Sequence, residues 1–153
     1  MNLLLVILIR TFIVTQVRVN GSSMLPTLVD GEFLLLEKFN NKYNRFDIIV
    51  LNHGDEKLVK RVIGLPGEFV EYKDNKLYIN NEIVEEKITS LETYDYSIEE
   101  LGYTQIPKGY YFVMGDNRQN STDSRYIWLI SKKNIVGEVN IRVFPFTKFG
   151  YID

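Results

Sequence analysis

The sequence predicts a mainly β protein that follows an apolar N-terminal segment. Beyond that segment, apolar residues occur in short runs, such as residues 33–36 and 48–51, that are too brief for a globular helix. Other runs alternate apolar and polar residues, which is typical of strands because successive side chains point to opposite faces of a sheet. Turn-forming pairs, Asp74-Asn75 and Asn80-Asn81, separate three of the runs and predict a hairpin meander.

The first seventeen residues predict a membrane anchor. Residues 3–9 and 11–15 are largely apolar, but Arg10 interrupts them. A spanning helix needs about 20 mostly apolar residues, so this segment is short, or its start is truncated. No basic stretch precedes the apolar run and no small-x-small site follows it, which disfavours a cleaved signal peptide. We therefore expect an uncleaved anchor over residues 1–17 and a β domain over residues 18–153.

The predicted strands follow in chain order. They cover residues 17–19, 32–37, 47–51, 58–62, 68–72, 76–79, 82–84, 110–114 and 139–143. Pro145 ends the last of them because proline cannot donate a hydrogen bond to a sheet. Residues 85–108 are more polar and predict a loop or a short helix.

Composition restricts the function. A chain of 153 residues with 45% hydrophobic residues is long enough for one domain with a core. The net charge is −2 and no basic block occurs, so we expect no nucleic-acid partner. The chain has no cysteine, which excludes a disulfide, a thiol nucleophile and a cysteine-based zinc site. We expect a monomer without a metal or another cofactor.

Ser23 is the candidate nucleophile, within Gly21-Ser22-Ser23-Met24 where the apolar segment gives way to the β domain. A serine hydroxyl needs a base to remove its proton. The single histidine, His53, lies among turn formers and charged residues that predict an exposed loop. A Ser-His-Asp triad is therefore disfavoured.

Lys60 is the alternative base. Leu58, Lys60 and Val62 share one face of a predicted strand, so the amine has apolar neighbours. Burial disfavours the charged form of lysine and lowers its pKa, which leaves a neutral amine near pH 7. The competing interpretation is that Lys60 and Arg61 reach into water from an edge strand.

A dense polar loop follows Met114. A calcium loop is excluded because Arg118 occupies a ligand position and Ser121 stands where glycine is needed. Asn120-Ser121-Thr122 matches the N-glycosylation acceptor pattern, which is common by chance. The favoured interpretation is a network of charge-assisted hydrogen bonds in which Arg125 grips a carboxylate such as Asp123.

These motifs together resemble bacterial type I signal peptidase. The resemblance rests on Ser23-Met24-x-Pro26-Thr27, on residues 60–67 (KRVIGLPG) and on residues 115–125 (GDNRQNSTDSR), and it extends over nearly the whole chain. It implies a coiled β-sheet catalytic core with a small β insertion at about residues 68–108, preceded by an N-terminal transmembrane helix. It also implies a single-pass protein of the cell membrane with its catalytic domain on the extracytoplasmic face.

The resemblance also implies roles for residues. Ser23 would attack the peptide bond and Lys60 would serve as general base, while Ser121 would orient the Lys60 amine. Structural ion pairs would join Asp123 to Arg125 and Asp116 to Arg118. The substrates would be secreted preproteins whose signal peptides end small-x-small, typically Ala-x-Ala. Four residues that adjoin the dyad in sequence are candidate walls of shallow substrate pockets, with plain core packing as the alternative: Val19, Met24, Leu28 and Val59.

Four residues depart from the family pattern. The resemblance places the oxyanion hole at the Ser23 backbone N–H, and Gly21 lacks the serine hydroxyl that assists in some members. Phe46 and Trp128 stand where the family usually has glycine, which predicts an unusual backbone there, and Gln119 replaces an aspartate.

Two other functions remain open at this point. A self-cleaving Ser/Lys peptidase of the SOS-repressor kind would need an N-terminal helix-turn-helix, where this chain has its apolar segment. A membrane-tethered β module that binds peptides without cutting them is the second alternative.

Overall fold

Two antiparallel β-sheets make up most of the computed structural model, which describes residues 3–4, 14–40, 42–87 and 92–152. The prediction of a mainly β fold is confirmed. The larger sheet has eight strands and the smaller sheet has four. Only short helical turns connect the strands, and the longest helical segments described are Ser124–Ile127 (α1) and a 3₁₀ turn at Ile98–Leu101.

The larger sheet carries both ends of the described domain. Its path is β1-β2-β11-β3-β4-β9-β10, and β12 pairs with β11 beside that path. The strands are β1 (Val14–Arg18), β2 (Phe33–Glu37), β3 (Ile48–His53), β4 (Glu56–Gly64), β9 (Tyr110–Met114), β10 (Ile130–Ser131), β11 (Ile135–Phe144) and β12 (Gly150–Tyr151).

The smaller sheet lies in the chain between β4 and β9. Its order is β7-β6-β5-β8, with β5 (Val70–Lys73), β6 (Lys76–Ile79), β7 (Glu82–Val84) and β8 (Tyr96–Ser97). Reciprocal backbone hydrogen bonds close its base, from Gly67 N–H to the Ile106 carbonyl at 2.7 Å and from Ile106 N–H to the Glu68 carbonyl at 2.8 Å. The segment therefore leaves and rejoins the main sheet at one point.

Three apolar clusters hold the domain together. One joins the two sheets and includes Ile63, Tyr72 and Phe112. A second packs Met24 and Leu28 against β2, β3 and β11, and a third covers the opposite face of β3 and β4. The larger sheet is thus buried on both faces around β3 and β4, which explains why residues 48–51 and 60–64 are all buried.

The strand β1 begins inside the stretch that the sequence assigned to the anchor. Val14–Arg18 pairs antiparallel with β2, so residues 14–17 belong to the β domain and the predicted boundary at residue 17 is wrong. The rest of the predicted anchor lies almost entirely outside the described residues. Within the part of the chain that the structure describes, no helix is long and apolar enough to cross a bilayer.

The turn predictions hold in the smaller sheet. Asp74, Asn75, Asn80 and Asn81 all have positive φ, the conformation that two-residue hairpin turns require. The polar stretch after β7 contains more structure than its composition indicates. Ser97 begins the 3₁₀ turn with a capping box, in which its hydroxyl accepts from Glu99 N–H and the Glu100 carboxylate accepts from Ser97 N–H.

Candidate active site

The nucleophile turn, residues 21–28, connects β1 to β2. Leu28 N–H donates to the Met24 carbonyl at 2.9 Å, and Leu25 N–H donates to the Ser22 carbonyl at 3.2 Å. Met24 and Leu28 are fully buried in the cluster beside β2. The turn is therefore fixed at its apolar side chains, and Ser23 lies half-buried between them and the solvent.

Lys60 reaches the nucleophile from the middle of β4. Its side chain is buried, and register places Lys60 opposite Ile49 on the face that also carries Leu58 and Val62. Its Nζ donates a hydrogen bond of 2.7 Å to Ser23 Oγ. His53 is exposed at the end of β3, as the sequence predicts. The amine that contacts Ser23 is therefore that of Lys60, and the alternative of a water-facing Lys60 is wrong.

Two opposing effects set the pKa of Lys60. Burial is the larger effect and lowers it, because the ammonium loses its hydration, and the net result is a fall of the Lys60 pKa from 10.5 to about 8. The carboxylates of Asp123 and Asp116 act in the opposite direction and stabilise the ammonium. A pKa near 8 leaves an appreciable neutral fraction at neutral pH and keeps the ammonium accessible.

Asp116 pairs with a different arginine from the predicted one. Its carboxylate accepts two hydrogen bonds from Arg61, at 2.9 and 2.7 Å, and one from the Thr27 hydroxyl at 2.5 Å. The predicted Asp116–Arg118 pair is wrong because Arg118 turns away from it and binds Glu86. Sequence spacing did not indicate this arrangement, since Thr27 and Arg61 are far from Asp116 in the chain. The network joins the nucleophile turn to β4, the strand that carries Lys60.

Asp123 and Arg125 form the ion pair expected from their spacing. Arg125 donates to both carboxylate oxygens, at 2.8 and 2.9 Å. Asp123 is fully buried and also caps α1 by accepting from Arg125 N–H. A fourth hydrogen bond comes from Gly115 N–H, which donates to Asp123 Oδ2 at 3.0 Å. The pair thus fixes the start of the loop that follows β9.

Ser121 does not make the predicted hydrogen bond to Lys60. Among the described residues its buried Oγ has no hydrogen-bond partner, because the Lys60 amine is directed to Ser23 instead. Ser121 packs against Gly115. A Cβ at position 115 would lie 2.2 Å from Ser121 Oγ and 2.4 Å from the Ser23 carbonyl oxygen. Glycine is required at position 115 because the chain passes between these two groups.

Asn117 contacts the nucleophile turn, a role that the sequence analysis missed. Its backbone N–H donates to the Ser23 carbonyl, and its side-chain amide donates to the Ser22 carbonyl, each at 3.0 Å. Asn120 adds a bond of 3.1 Å to the Ser22 hydroxyl. The signal was present in the dense polar motif, but an asparagine gives no indication of which carbonyl it will bind.

Three of the four candidate pocket walls are core residues. Val19, Met24 and Leu28 are at most 2% exposed and belong to one apolar cluster, so they are not available to line a substrate pocket at the surface. Sequence adjacency to Ser23 was misleading because Met24 and Leu28, four residues apart in the turn, both point into the core. Val59 is partly buried and packs on the edge of the same cluster.

The positions that depart from the family pattern include two with strained backbone. Phe46 and Trp128 have φ of +73° and +71°, in the left-handed region, as their positions predict. Arg61 donates to the Phe46 carbonyl at 2.8 Å, so the arginine that pairs with Asp116 also holds this strained residue. Gly21 has φ of +86°, and a side chain placed there would have no neighbour within 4 Å of its Cβ, so the residue borders open space. Gln119 is exposed.

Comparison with known proteins identifies the family. Residues 1–144 match the family described as Signal peptidase, peptidase S26. The chain belongs to this family. It is 40% identical to signal peptidase I V of Bacillus subtilis, over 91% of each chain. It is 45% identical to signal peptidase I T of the same organism, over 95% of this chain and 81% of that one.

A solved structure agrees with this assignment. The chain is 37% identical in sequence to a signal peptidase I from Enterococcus faecalis whose crystal structure is known. The two structures match over 64% of this chain and 97% of that chain, with a TM-score of 0.58. Family membership makes the chain a serine peptidase, and so a hydrolase, of the signal peptidase I type.

The buried lysine predicts a pH dependence of stability. The unfolded chain keeps the Lys60 proton up to about pH 10.5, whereas the folded chain releases it near pH 8. Unfolding therefore takes up a proton between these values, and stability rises with pH in that window. Relative to the Lys60→Met variant, the wild type should gain about 3 kcal/mol between pH 7 and pH 10.5, measured by urea unfolding. Parallel pH curves for the two proteins would contradict the assignment of a desolvated amine.

Proposed function

We propose that the chain removes signal peptides from secreted preproteins by cutting after small-x-small, typically Ala-x-Ala, with Ser23 as nucleophile and Lys60 as general base. The observation that carries the proposal is the 2.7 Å hydrogen bond from Nζ of the buried Lys60 to Oγ of the half-buried Ser23. Relatives named signal peptidase I support the reaction class.

One lysine then serves two steps. The neutral amine takes the Ser23 proton as Ser23 Oγ attacks the scissile carbonyl, and the resulting ammonium protonates the leaving amine. The neutral amine next activates the water that hydrolyses the acyl-enzyme. A pKa near 8 suits both directions of proton transfer, and Asp116 and Asp123 favour the ammonium in the intermediate state.

The oxyanion and the peptide are bound mainly by the backbone. The Ser23 N–H is the proposed donor to the oxyanion, and Gly21 supplies no hydroxyl. The open space beside Gly21 supports close approach of a substrate chain. The peptide lies extended along strand edges near Ser23 and Lys60, bound through main-chain hydrogen bonds. Val59 remains a candidate wall of its pocket.

Ser121 is proposed as the residue that orients Lys60 after acylation. Once Ser23 Oγ is esterified it is a poorer acceptor, and the amine needs another partner. A buried hydroxyl without a partner among the described residues costs about 1–3 kcal/mol, which supports a role for it during turnover.

The first experiment is cleavage of an Ala-x-Ala signal-peptide substrate in detergent. Ser23→Ala and Lys60→Ala should each lower kcat by at least about 10³-fold, because the nucleophile or its base is gone. Lys57→Ala, an exposed lysine on the same strand, is the matched control and should cut like the wild type.

Two results would overturn the dyad in that experiment. One is substantial cleavage by folded Lys60→Ala, and the other is a folded wild type that binds the peptide without cutting it.

Ser121→Ala should retain acylation of Ser23 and lower kcat, because only the later step needs its hydroxyl. If Ser121→Ala instead slows only the acylation of Ser23, the proposed role of Ser121 in deacylation is rejected.

We also propose that the enzyme acts as a monomer at the extracytoplasmic face of the cell membrane, anchored once by its N-terminal segment. An exposed aromatic corner supports contact with the bilayer. Phe144, Phe146, Phe149 and Tyr151 are 44–81% exposed, and Phe144 packs edge-on against Phe33 and Phe146. Phe33 pairs with Arg18, the last residue of β1, and the chain continues from Arg18 to Ser23. The aromatic corner therefore lies beside the start of the segment that carries the nucleophile. Aromatic rings favour the membrane–water interface.

Binding to lipid vesicles tests this contact. In residues 14–153, Phe146→Ser with Phe149→Ser should weaken sedimentation with phospholipid vesicles several-fold, because two exposed rings no longer insert. The double variant Tyr94→Ser with Ile83→Ser, which removes exposed apolar groups from the inserted segment, is the control. Equal vesicle binding by both double variants would reject the aromatic corner as the contact.

A further inference from the structure

The loop that supports the nucleophile begins at Gly115 and is clamped on both sides. Gly115 N–H donates to Asp123, and its carbonyl accepts a 3.0 Å hydrogen bond from Arg118 Nε. Between these two bonds the residue fits against the Ser23 carbonyl and Ser121 with no room for a Cβ. Any shift of Gly115 would therefore be passed directly to the nucleophile turn.

The guanidinium of Arg118 extends from the loop after β9 into the inserted segment that carries the smaller sheet. Nη2 binds Glu86 at 2.6 Å, while Nη1 binds the Tyr72 hydroxyl at 3.0 Å, the Thr93 hydroxyl at 3.1 Å and Glu86 at 3.3 Å. Tyr72 belongs to β5, Glu86 follows β7 and Thr93 precedes β8. The partners of this side chain thus all belong to the inserted segment, apart from its bond back to Gly115.

Burial makes this pairing obligatory. The Arg118 side chain is fully buried and that of Glu86 is 6% exposed. Removing one partner of a buried ion pair leaves an uncompensated charge, so the neighbouring groups must rearrange to hydrate it. The bidentate contact with Glu86 also fixes the plane of the guanidinium, which determines where Nε points. The Gly115 carbonyl depends on that direction.

We propose that Glu86 and Arg118 are positioning residues through which the smaller sheet holds the Ser23–Lys60 pair in its reactive geometry. Neither touches the dyad, and the effect passes from the Glu86 carboxylate through the Arg118 guanidinium and Gly115 to the Ser23 carbonyl. The proposal rests on the proposed function, since it assigns a catalytic consequence to the contact.

The test compares Glu86→Gln with Glu68→Gln. Each variant removes a carboxylate of the inserted segment that pairs with an arginine, but Glu68 pairs with Arg45 and has no bond to the Gly115 loop. Two activities are measured below the melting temperatures: kcat and KM for the Ala-x-Ala substrate, and the burst of p-nitrophenol when p-nitrophenyl acetate acylates Ser23.

Glu86→Gln should lower kcat and the burst rate by about 10- to 100-fold, the effect of a small misplacement of reacting groups, while KM stays within about twofold. The inflection of kcat/KM near pH 8 should remain, because Glu86 does not contact Lys60. Glu68→Gln should retain wild-type kcat even where its melting temperature falls. If Glu86→Gln does not fold, Thr93→Val, which keeps the ion pair and removes one acceptor, should lower kcat several-fold.

Equal kcat in the folded Glu86→Gln and Glu68→Gln variants, or in Thr93→Val and the wild type, would overturn the proposal. So would a shifted pH inflection, which would indicate a direct electrostatic effect on Lys60. A wild type that shows the burst without cutting the peptide rejects the proposed substrate alone, because the burst rates still compare the variants. A wild type with neither activity rejects both proposals.

Discussion

Lys60 donates its hydrogen bond to Ser23 from inside the core, and most of the surrounding structure serves to keep that amine out of water. The amine is shielded because β3 and β9 flank β4 in the middle of the larger sheet, with apolar clusters on both faces. Desolvation alone would make the ammonium too costly for a cycle in which lysine must both accept and release a proton. Asp116 and Asp123 reduce that cost, and the balance leaves the pKa of Lys60 near 8.

The polar residues around the dyad form linked contacts between segments that are distant in sequence. Asp116 joins the nucleophile turn, through Thr27, to Arg61 beside the base. Asp123 fixes Gly115, and Asn117 fixes the Ser22 and Ser23 carbonyls. The buried carboxylates of Asp116 and Asp123 are each paired with an arginine guanidinium, because a buried charge without a partner is costly. The two ends of the dyad are thus held to one another by contacts that do not involve the reacting atoms.

The strands and the Ser23–Lys60 pair were predictable from the sequence, whereas most side-chain contacts between distant segments were not. Period-two patterning and short apolar runs identified the longer strands and the face that carries Lys60, since both are local properties, but the two-residue strands β8, β10 and β12 were not predicted. The Asp123–Arg125 pair was also local, whereas the left-handed backbone at Phe46 and Trp128 was expected only because the family resemblance places glycine at those positions. The predictions that failed concerned non-local contacts. The partner of Arg118 comes from another sheet, the Ser121 hydroxyl has no partner among the described residues, and Val19, Met24 and Leu28 point into the core although they adjoin Ser23 in sequence. Sequence proximity does not determine which way a side chain faces across a turn.

The ionisation of Lys60 is the property on which the account depends, and it can be measured directly. Lysine side chains labelled with ¹³C at Cε shift on deprotonation, and the signal of Lys60 can be assigned by its absence in Lys60→Met. A buried Lys60 amine should give this signal a titration midpoint of about 8. A midpoint near 10.5, the ordinary value for lysine, would contradict it, because the amine would then be fully charged at neutral pH and unable to accept the Ser23 proton.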